Sequence, residues 1–207
     1  GIVLNNGVHI DDATDDNASV TMPDVRASNG VVHIIDKVLL PQSALDALTP
    51  PLPNIVELAQ SVNQLSILVE ALVQADAGLV EALAGDGPFT VFAPDNHAFE
   101  DLFHVLGRNY HDISDFDTPT EKEILAKILT YHVVAGAQEA STDLFDHQEL
   151  MTLQGESVFI NINHGIAIRD KTHIDANVTD ADNLASNGIV HLIDKILLPQ
   201  EVIDILH

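Results

Sequence analysis

The sequence contains no cysteine and no tryptophan, and only 8 of its 207 residues are lysine or arginine. Without cysteine, disulfide bonds, thiolate chemistry and cysteine-ligated metal sites are excluded. The longest apolar run is far shorter than a membrane span, and no basic segment followed by an apolar one opens the chain. Because the first residue is Gly and not Met, we expect that a leader and further sequence have been removed.

Acidic residues dominate the charge. There are 32 of them, and the formal net charge is −24. Such a field repels phosphate backbones and anionic lipid surfaces, which argues against nucleic acid and membrane surfaces as partners, just as the short apolar runs argue against membrane insertion. The same surface stays soluble in salt and concentrates cations, which favours a saline setting. An ordinary solvated acidic surface is the alternative that stays open.

The chain repeats one stretch of its own sequence. Residues 187–199 read Asn-Gly-Ile-Val-His-Leu-Ile-Asp-Lys-Ile-Leu-Leu-Pro, and residues 29–41 read Asn-Gly-Val-Val-His-Ile-Ile-Asp-Lys-Val-Leu-Leu-Pro. The match continues upstream without a gap, so that Gly1–Gln42 duplicates Phe159–Gln200. The constant offset is about the size of one ordinary domain, which is too long for a solenoid repeat.

This repeat predicts the domain layout. The proline-rich stretch 49–53 predicts a short stiff linker, because consecutive prolines favour an extended chain. We expect the C-terminal part of one domain at 1–48 and a complete domain at 54–207. The first copy would then lack its own helical first half, and its strand edges would be free to pair with another chain.

Each copy of the repeated stretch predicts a β-strand that ends at a proline and is covered on both faces, because its residues are almost all β-branched or aliphatic. His33 and His191 interrupt the two apolar runs. We interpret both as hydrogen-bonded core histidines, since a buried polar group needs a partner.

Two β-hairpins are predicted upstream of these strands. One is Gly1–Asp12, with a turn at Asn6-Gly7, and the other runs from Val158 to Ile168. The acidic, turn-rich segments that follow each hairpin are interpreted as solvated connections.

Helical patterns fill the first half of the complete domain. Thr118-Pro-Thr-Glu121 has the layout of a capping box and predicts a helix start. In chain order we predict a helix at Asn54–Ala59, helical segments at Leu65–Val73 and Leu79–Leu83, a buried strand at Phe89–Ala93, a helix bearing Phe99 to Phe103, a helix from Thr118 to Leu129 and a strand at Tyr131–Val134. Helices crowd the first half of this domain and strands the second half, which is the pattern of an α+β fold.

Three motifs resemble the signature of fasciclin-like domains in residues, order and separation. They are Thr90-Val-Phe-Ala-Pro-Asp-Asn-His-Ala-Phe99, Tyr131-His132 and the stretch from Asn187 to Pro199. The resemblance covers residues 54–199 in full, whereas Gly1–Pro41 matches only the C-terminal part of such a domain. It implies a compact β-sandwich or wedge flanked by helices, on secreted or cell-surface adhesion proteins and often in tandem.

The resemblance also implies a non-catalytic function, since the family binds proteins and, in some members, glycans. Tyr131 and His132 match the position near which partners bind, with core hydrogen bonding as the competing interpretation. Adjacent strand residues face opposite ways, so one of the two is expected to point outward. The other motif positions are interpreted as family core: Thr90, Phe92, Pro94, Phe99, Asn187, Gly188, His191, Asp194 and Pro199. The alternative function is a self-assembling surface subunit with head-to-tail contacts through residues 1–42.

Metal binding and catalysis are weaker hypotheses. Oxygen ligands for calcium could come from Asp11, Asp12, Asp15, Asp16, Asp180 and Asp182. Their spacing matches no calcium loop, so we expect a diffuse cloud of cations rather than a metal site, and no cofactor. The sequence has no nucleophile elbow, no His-Glu-x-x-His and no phosphate loop, which leaves an enzyme as the most distant alternative.

Overall fold

The computed structural model describes residues 9–48, 50–107, 110–163, 165–172 and 174–206. The chain divides into two compact units, a first unit at Gly1–Pro51 and a second unit at Leu52–His207. The first strand and the turn of the hairpin predicted at Gly1–Asp12 lie outside the described residues, as does Thr49 of the predicted linker.

The described part of the first unit is a three-stranded antiparallel sheet followed by a short helix. Its elements are β1 (His9–Ile10), β2 (Ala18–Ala27), β3 (Gly30–Ile35) and α1 (Gln42–Leu48). The strand order is β1-β2-β3, so β3 forms an edge. Ser28-Asn29 forms the turn between the two longer strands.

The prediction that β3 is covered on both faces is wrong. Val31, Val32 and Ile34 are 54%, 52% and 46% exposed, and His33 is exposed rather than in a core. β3 pairs only with β2, and the described residues of this unit include no second layer to bury it. The strand also ends at Ile35, well before the proline.

The second unit packs helices against one seven-stranded sheet. Its helices are α2 (Ile55–Ser61), α3 (Ser66–Gln74), α4 (Leu79–Ala84), α5 (Asn96–Leu106), α6 (Pro119–Tyr131) and α7 (Gln200–Leu206), with 3₁₀ turns at Asn63–Leu65 and Ile113–Asp115. Its strands are β4 (Phe89–Pro94), β5 (Val133–Ala135), β6 (Glu149–Met151), β7 (Ser157–Ile162), β8 (Ile166–Arg169), β9 (Ala176–Ala185) and β10 (Gly188–Ile193). The α+β class predicted from the sequence is confirmed.

The sheet has the order β5-β4-β10-β9-β8-β7-β6. β4 and β10 run parallel, and every other neighbouring pair is antiparallel. The backbone N–H of Leu153, just after β6, donates to the carbonyl of Val133 in β5 at 2.7 Å, so the two ends of the sheet approach each other. The sheet therefore curls into a nearly closed wedge.

Local sequence signals position the helices. Asn54 and Thr118 each form a capping box, with Glu57 and Glu121 respectively, and Asp95 caps α5 through the N–H of Ala98. These side chains satisfy backbone donors that the first helical turn leaves free. The helices predicted at Asn54–Ala59 and from Thr118 are confirmed.

Two hydrophobic clusters form the core. The first lies between the helices and the sheet and includes Leu65, Leu125 and Val190. The second lies inside the curled sheet and includes Phe92 and Ile193. Every residue of β10 is buried, so the prediction of a strand covered on both faces is confirmed in the second unit.

Two further predictions need correction. Asp180 and Asp182 do not lie in a solvated connection, because both belong to β9. Asp182 has φ +62°, and the β9–β10 register shifts near it. The strand predicted at Tyr131–Val134 begins only at Val133, because Tyr131 ends α6 and His132 keeps a helical backbone. The hairpin predicted from Val158 is confirmed as β7 and β8.

Candidate functional site

Tyr131 lies at the junction between α6 and the sheet. Its side chain is completely buried, and its hydroxyl donates to the carbonyl of Ser157 in β7 at 3.0 Å. Burial raises the pKa of Tyr131, and the nearby carboxylates of Asp170 and Glu156 add to the effect. The phenol is therefore a neutral structural donor.

His132 joins three parts of the second unit. Nδ1 lies 2.8 Å from the carbonyl of Ile128, and Nε2 accepts from the backbone N–H of Leu197 at 2.9 Å. Because Nε2 accepts, the proton lies on Nδ1, which donates to Ile128. Burial lowers the pKa of His132 to about 4, so the ring is neutral at physiological pH. Its backbone carbonyl also accepts from the N–H of Phe92 in β4.

Both side chains of this pair are therefore interior, although the sequence predicted that one would point outward. That expectation depended on strand alternation, which does not apply at the end of a helix. Partner contact at this segment stays a prediction, and the surface next to it is formed by residues such as Leu153, which is 45% exposed.

The motif residues of β4 and β10 are interlinked. The hydroxyl of Thr90 donates to the carbonyl of Ala137 at 3.0 Å and accepts from the N–H of Glu139 at 2.9 Å. Nε2 of His191 donates to the carbonyl of Glu139 at 2.9 Å, and its Nδ1 accepts from the N–H of Asp182. The ring also stacks on Phe92, with centroids 5.8 Å apart. These groups hold the 137–139 segment against the sheet.

Asn187 connects the start of β10 with the helices. Its Nδ2 donates to the carbonyls of Leu83 and Gly85, each at 2.7 Å, and its Oδ1 accepts from the N–H of Ile55 at 3.0 Å. The next residue, Gly188, is buried. A Cβ there would lie 2.2 Å from the carbonyl oxygen of Phe89, so the close approach of β4 requires glycine. The remaining motif positions Pro94, Phe99 and Pro199 are also buried.

Asp170 and Asp194 fix the turns around β9. Asp170 accepts from the N–H and hydroxyl of Thr172, from Lys195 Nζ at 2.6 Å and from the N–H of Leu198 at 2.9 Å. Asp194 accepts from the backbone and side-chain amides of Asn177. Both carboxylates therefore stabilise the local backbone through hydrogen bonds to main-chain and side-chain donors.

Two of the acidic residues considered as calcium ligands, Asp12 and Asp182, accept hydrogen bonds from other groups of the protein. Asp12 accepts from Thr14, Lys37 and the N–H of Leu40, and these bonds hold the pKa of its carboxyl well below the usual range. Asp182 accepts from the N–H and hydroxyl of Ser141, which lowers its pKa. In the described part of the chain, no three or more His, Asp or Glu side chains are grouped to hold a metal ion. Among the described helices, none has the length and apolar character needed to cross a bilayer.

A polar groove on the outer face of β7, β8 and β9 was not predicted from the sequence. Its volume is about 240 Å³, and it is lined by Asn161, Asn163, Gly165, Ala167, Asp175 and Asn177. The signal that could have revealed it is a difference between the two copies. At the positions of Asn161, Ala167 and Asn177, the first copy has Val3, His9 and Ser19.

Two other cavities are less distinctive. A cleft of about 400 Å³ at the end of α5 is lined by Glu100, Phe103, His104, Gly107, Tyr110 and His111. An apolar void of about 20 Å³ lies within the helix–sheet core, beside Leu72 and His132. It is large enough for about one water molecule.

The chain is similar to known proteins of one domain family. A family model described as the fasciclin domain matches residues 2–41 and 63–199. Protein sll1483 of Synechocystis is 40% identical over 153 residues, which are 74% of this chain and 77% of that protein. Human periostin is 32% identical over 178 residues, or 84% of this chain and 18% of periostin. The ig-h3 protein of Sus scrofa, which is transforming growth factor-beta-induced, is 31% identical over 89% of this chain and 23% of that protein.

A solved structure agrees with the fold. The FAS1 domain pair of the insect cell adhesion molecule fasciclin I matches 95% of this chain and 68% of its own chain, with a TM-score of 0.60 and 20% identity. The two segments matched by the family model are consistent with one complete domain after the C-terminal part of another. The chain belongs to the fasciclin domain family.

Proposed function

We propose that this chain is a non-catalytic adhesion module of the cell exterior that binds protein or polysaccharide partners. Membership of the fasciclin domain family carries the proposal, and the solved relative with the same fold comes from a cell adhesion molecule. The polar groups of the motifs support it, because Tyr131, His132 and His191 are buried and hydrogen-bonded to backbone groups. None of them is placed as a free nucleophile or proton donor at a surface.

The partner surface in this proposal lies beside the Tyr131–His132 segment. Leu153 donates its backbone N–H to Val133, and Gln154 donates to Thr130, so these two residues cover the segment directly. Leu153 and the nearby Met151 in β6 are 45% and 61% exposed. Exposed apolar side chains next to a rigid backbone are suited to protein contacts. The buried tyrosine and histidine would then position this surface rather than touch the partner.

A binding screen against cell-surface proteins and glycans in high salt tests the proposal, because salt screens the nonspecific attraction of an acidic chain to cationic surfaces. We expect Leu153→Asp to reduce binding to the partner found by at least tenfold while leaving the melting temperature unchanged. Val105→Asp is the matched control, since Val105 is 78% exposed on α5. Equal binding by the two variants would reject this surface, and turnover of a substrate in hydrolase panels would reject the non-catalytic assignment.

Self-assembly through the first unit is the second candidate function. The observation that favours it is that β3 is an edge strand of the described sheet and carries the exposed side chains of Val31, Val32 and Ile34. Apolar strand edges of this kind pair with other chains. Contact between copies would therefore be strand-edge pairing, in the head-to-tail arrangement predicted for residues 1–42 or between two β3 edges.

Light scattering over a range of concentrations distinguishes assembly from a monomeric module. If β3 mediates assembly, the mean mass rises with concentration, and Val32→Lys keeps the chain monomeric because a charged edge resists pairing. A mass that stays at 22.3 kDa at every concentration would exclude this candidate.

A further inference from the structure

The groove on the outer face of β7, β8 and β9 has the construction of a small binding site. Ala167 in β8 pairs with Asn161 on one side and with Asn177 on the other. A small residue on the middle strand between longer polar residues on both neighbours creates a trough along the sheet. Ala167 and Gly165 provide its floor, and the amides form its walls.

The walls are held in place by hydrogen bonds. Asn161 donates to Asp175 and accepts from Asn163, and Asp175 is fixed by Nε and Nη2 of Arg169 at 2.8 and 3.0 Å. These bonds lower the pKa of Asp175, with Arg169 as the main cause. On the other wall, Nδ2 of Asn177 donates to Asp194 at 2.8 Å. A ligand would therefore meet ordered polar groups, which reduces the entropic cost of binding.

Hydrogen-bonding capacity remains after these bonds. Oδ1 of Asn177 and Oδ1 of Asn163 have no partner in the described part of the chain, and each carboxamide nitrogen carries a second hydrogen. Neighbouring acceptors and donors of this kind match adjacent hydroxyl groups. At one end of the face, Phe159 pairs across β7 and β8 with Arg169 and is 37% exposed, which adds an apolar surface.

Charge selects among hydroxyl-bearing ligands. Asp175 of the groove is neutralised by an ion pair with Arg169, which lies beside the groove, while the whole chain carries −24. A sulfated or carboxylated polysaccharide would be repelled by this field, and a neutral one would not. The amide walls thus favour an uncharged, polyhydroxylated ligand.

The groove is not a requirement of the fold. Residues that stabilise the fold recur in both copies, since Asp12 and Asp36 make the same backbone contacts as Asp170 and Asp194. The groove positions differ, because Val3, His9 and Ser19 correspond to Asn161, Ala167 and Asn177. The repeat therefore does not preserve the groove residues as it preserves those two aspartates.

We infer that the trough formed by Asn161, Ala167 and Asn177 binds a neutral oligosaccharide. This inference deepens the proposed adhesion function and rests on it, but it concerns a different surface from the one beside Tyr131 and His132. The proposal for each surface can therefore be rejected without rejecting the other.

The test is titration of the full chain with neutral hexasaccharides of glucose, mannose and N-acetylglucosamine, followed by side-chain amide signals in NMR spectra. A heparin hexasaccharide serves as the charged comparison. We expect a neutral probe to shift the amide signals of Asn161 and Asn177, and heparin to shift neither. Ala167→His and Asn177→Ser introduce residues that the first copy carries, so each should weaken binding at least tenfold without lowering the melting temperature.

Asn183→Val is the matched control. It changes another asparagine of β9 to the residue of the first copy, Val25, at a position outside the groove, and binding should stay within twofold. The inference is overturned if no neutral probe shifts the groove amides, or if heparin binds in the groove more tightly than the neutral probes. It is also overturned if binding of the neutral probes survives Ala167→His. Loss of protein binding in Leu153→Asp with sugar binding intact would support both surfaces as separate sites.

Discussion

The two copies of the repeated segment form the same local structure in different surroundings. β2, β3 and α1 of the first unit correspond to β9, β10 and α7 of the second. Asp12 bonds Thr14, Lys37 and Leu40 just as Asp170 bonds Thr172, Lys195 and Leu198. Even the left-handed backbone recurs, with φ +59° at Asp24 and +62° at Asp182.

Burial is what separates the copies. Val32 is 52% exposed, whereas its counterpart Val190 is 2% exposed. β10 has β4 as a second neighbour and helices over one face, while β3 pairs with β2 alone among the described residues. Short-range hydrogen bonds are therefore sufficient to set the path of this segment. Its burial depends on a helical half, residues 54–135, of which the chain has one copy.

The largest difference in stability between equivalent variants of the two copies is expected from a charge placed on β10 or β3. Val190→Asp places an unpaired carboxylate in the helix–sheet core and should cost about 4 kcal/mol or more, enough to unfold the second unit. Val32→Asp is the same substitution at an exposed position and should change stability by less than about 0.5 kcal/mol. Amide hydrogen exchange resolved by residue measures each unit separately. A well-folded Val190→Asp protein would contradict the assignment of β10 as a buried strand.

The sequence predicts elements whose causes are local. The capping box at Thr118 involves residues only three positions apart, and the apolar face of α5 recurs every three or four residues, so these helices follow from local pattern alone. β9 is not predicted from the sequence, because its exposed acidic residues give no clear apolar alternation. Its strand conformation depends on pairing with β8 and β10.

Non-local features could not be predicted. β3 and β10 have nearly the same sequence, so the neighbouring strand and the helices that cover it decide which one is buried. The groove depends on the β7–β8–β9 register, which brings Asn161, Ala167 and Asn177 side by side. The position of His132 was inferred from a resemblance, but its burial follows from the helix end that precedes it.

Acid should destabilise the second unit through a histidine that the first unit has no counterpart for. Burial lowers the pKa of His132 from 6.5 to about 4. Between pH 6.5 and 4, His132 is therefore protonated in the unfolded state but not in the folded state, and the free energy of unfolding falls as the pH drops through this range. The loss from this group reaches roughly 3 kcal/mol, at about 1.4 kcal/mol per pH unit. Urea unfolding at a series of pH values measures it.

A variant without the titrating ring isolates this contribution. His132→Gln should be less stable at neutral pH, because the bonds to Ile128 and Leu197 are disturbed. Its stability should change less with pH between 6.5 and 4 than that of the parent. The lowered pKa values of Asp115, Glu121, Asp175 and Asp182 act in the same direction, chiefly below the ordinary carboxyl values of 3.8 to 4.5, and they contribute equally to both proteins. Equal slopes in the two proteins between pH 6.5 and 4 would rule out His132 as the cause.

The smallest expected effect uses the glycine that opens each terminal strand. A Cβ on Gly188 would lie 2.2 Å from the carbonyl oxygen of Phe89 and 3.0 Å from Ile55 Cδ1, whereas a Cβ on Gly30 has nothing within 4 Å. Gly188→Ala must push β4 away from β10 and should cost about 1–3 kcal/mol. Gly30→Ala should be neutral to within about 0.5 kcal/mol. Thermal unfolding followed by signals from each unit provides the measurement. Because both glycines follow an asparagine and precede a nearly identical strand, a difference between the variants comes from the close packing of Phe89 and Ile55 around Gly188. Equal costs would mean that the turn itself requires glycine.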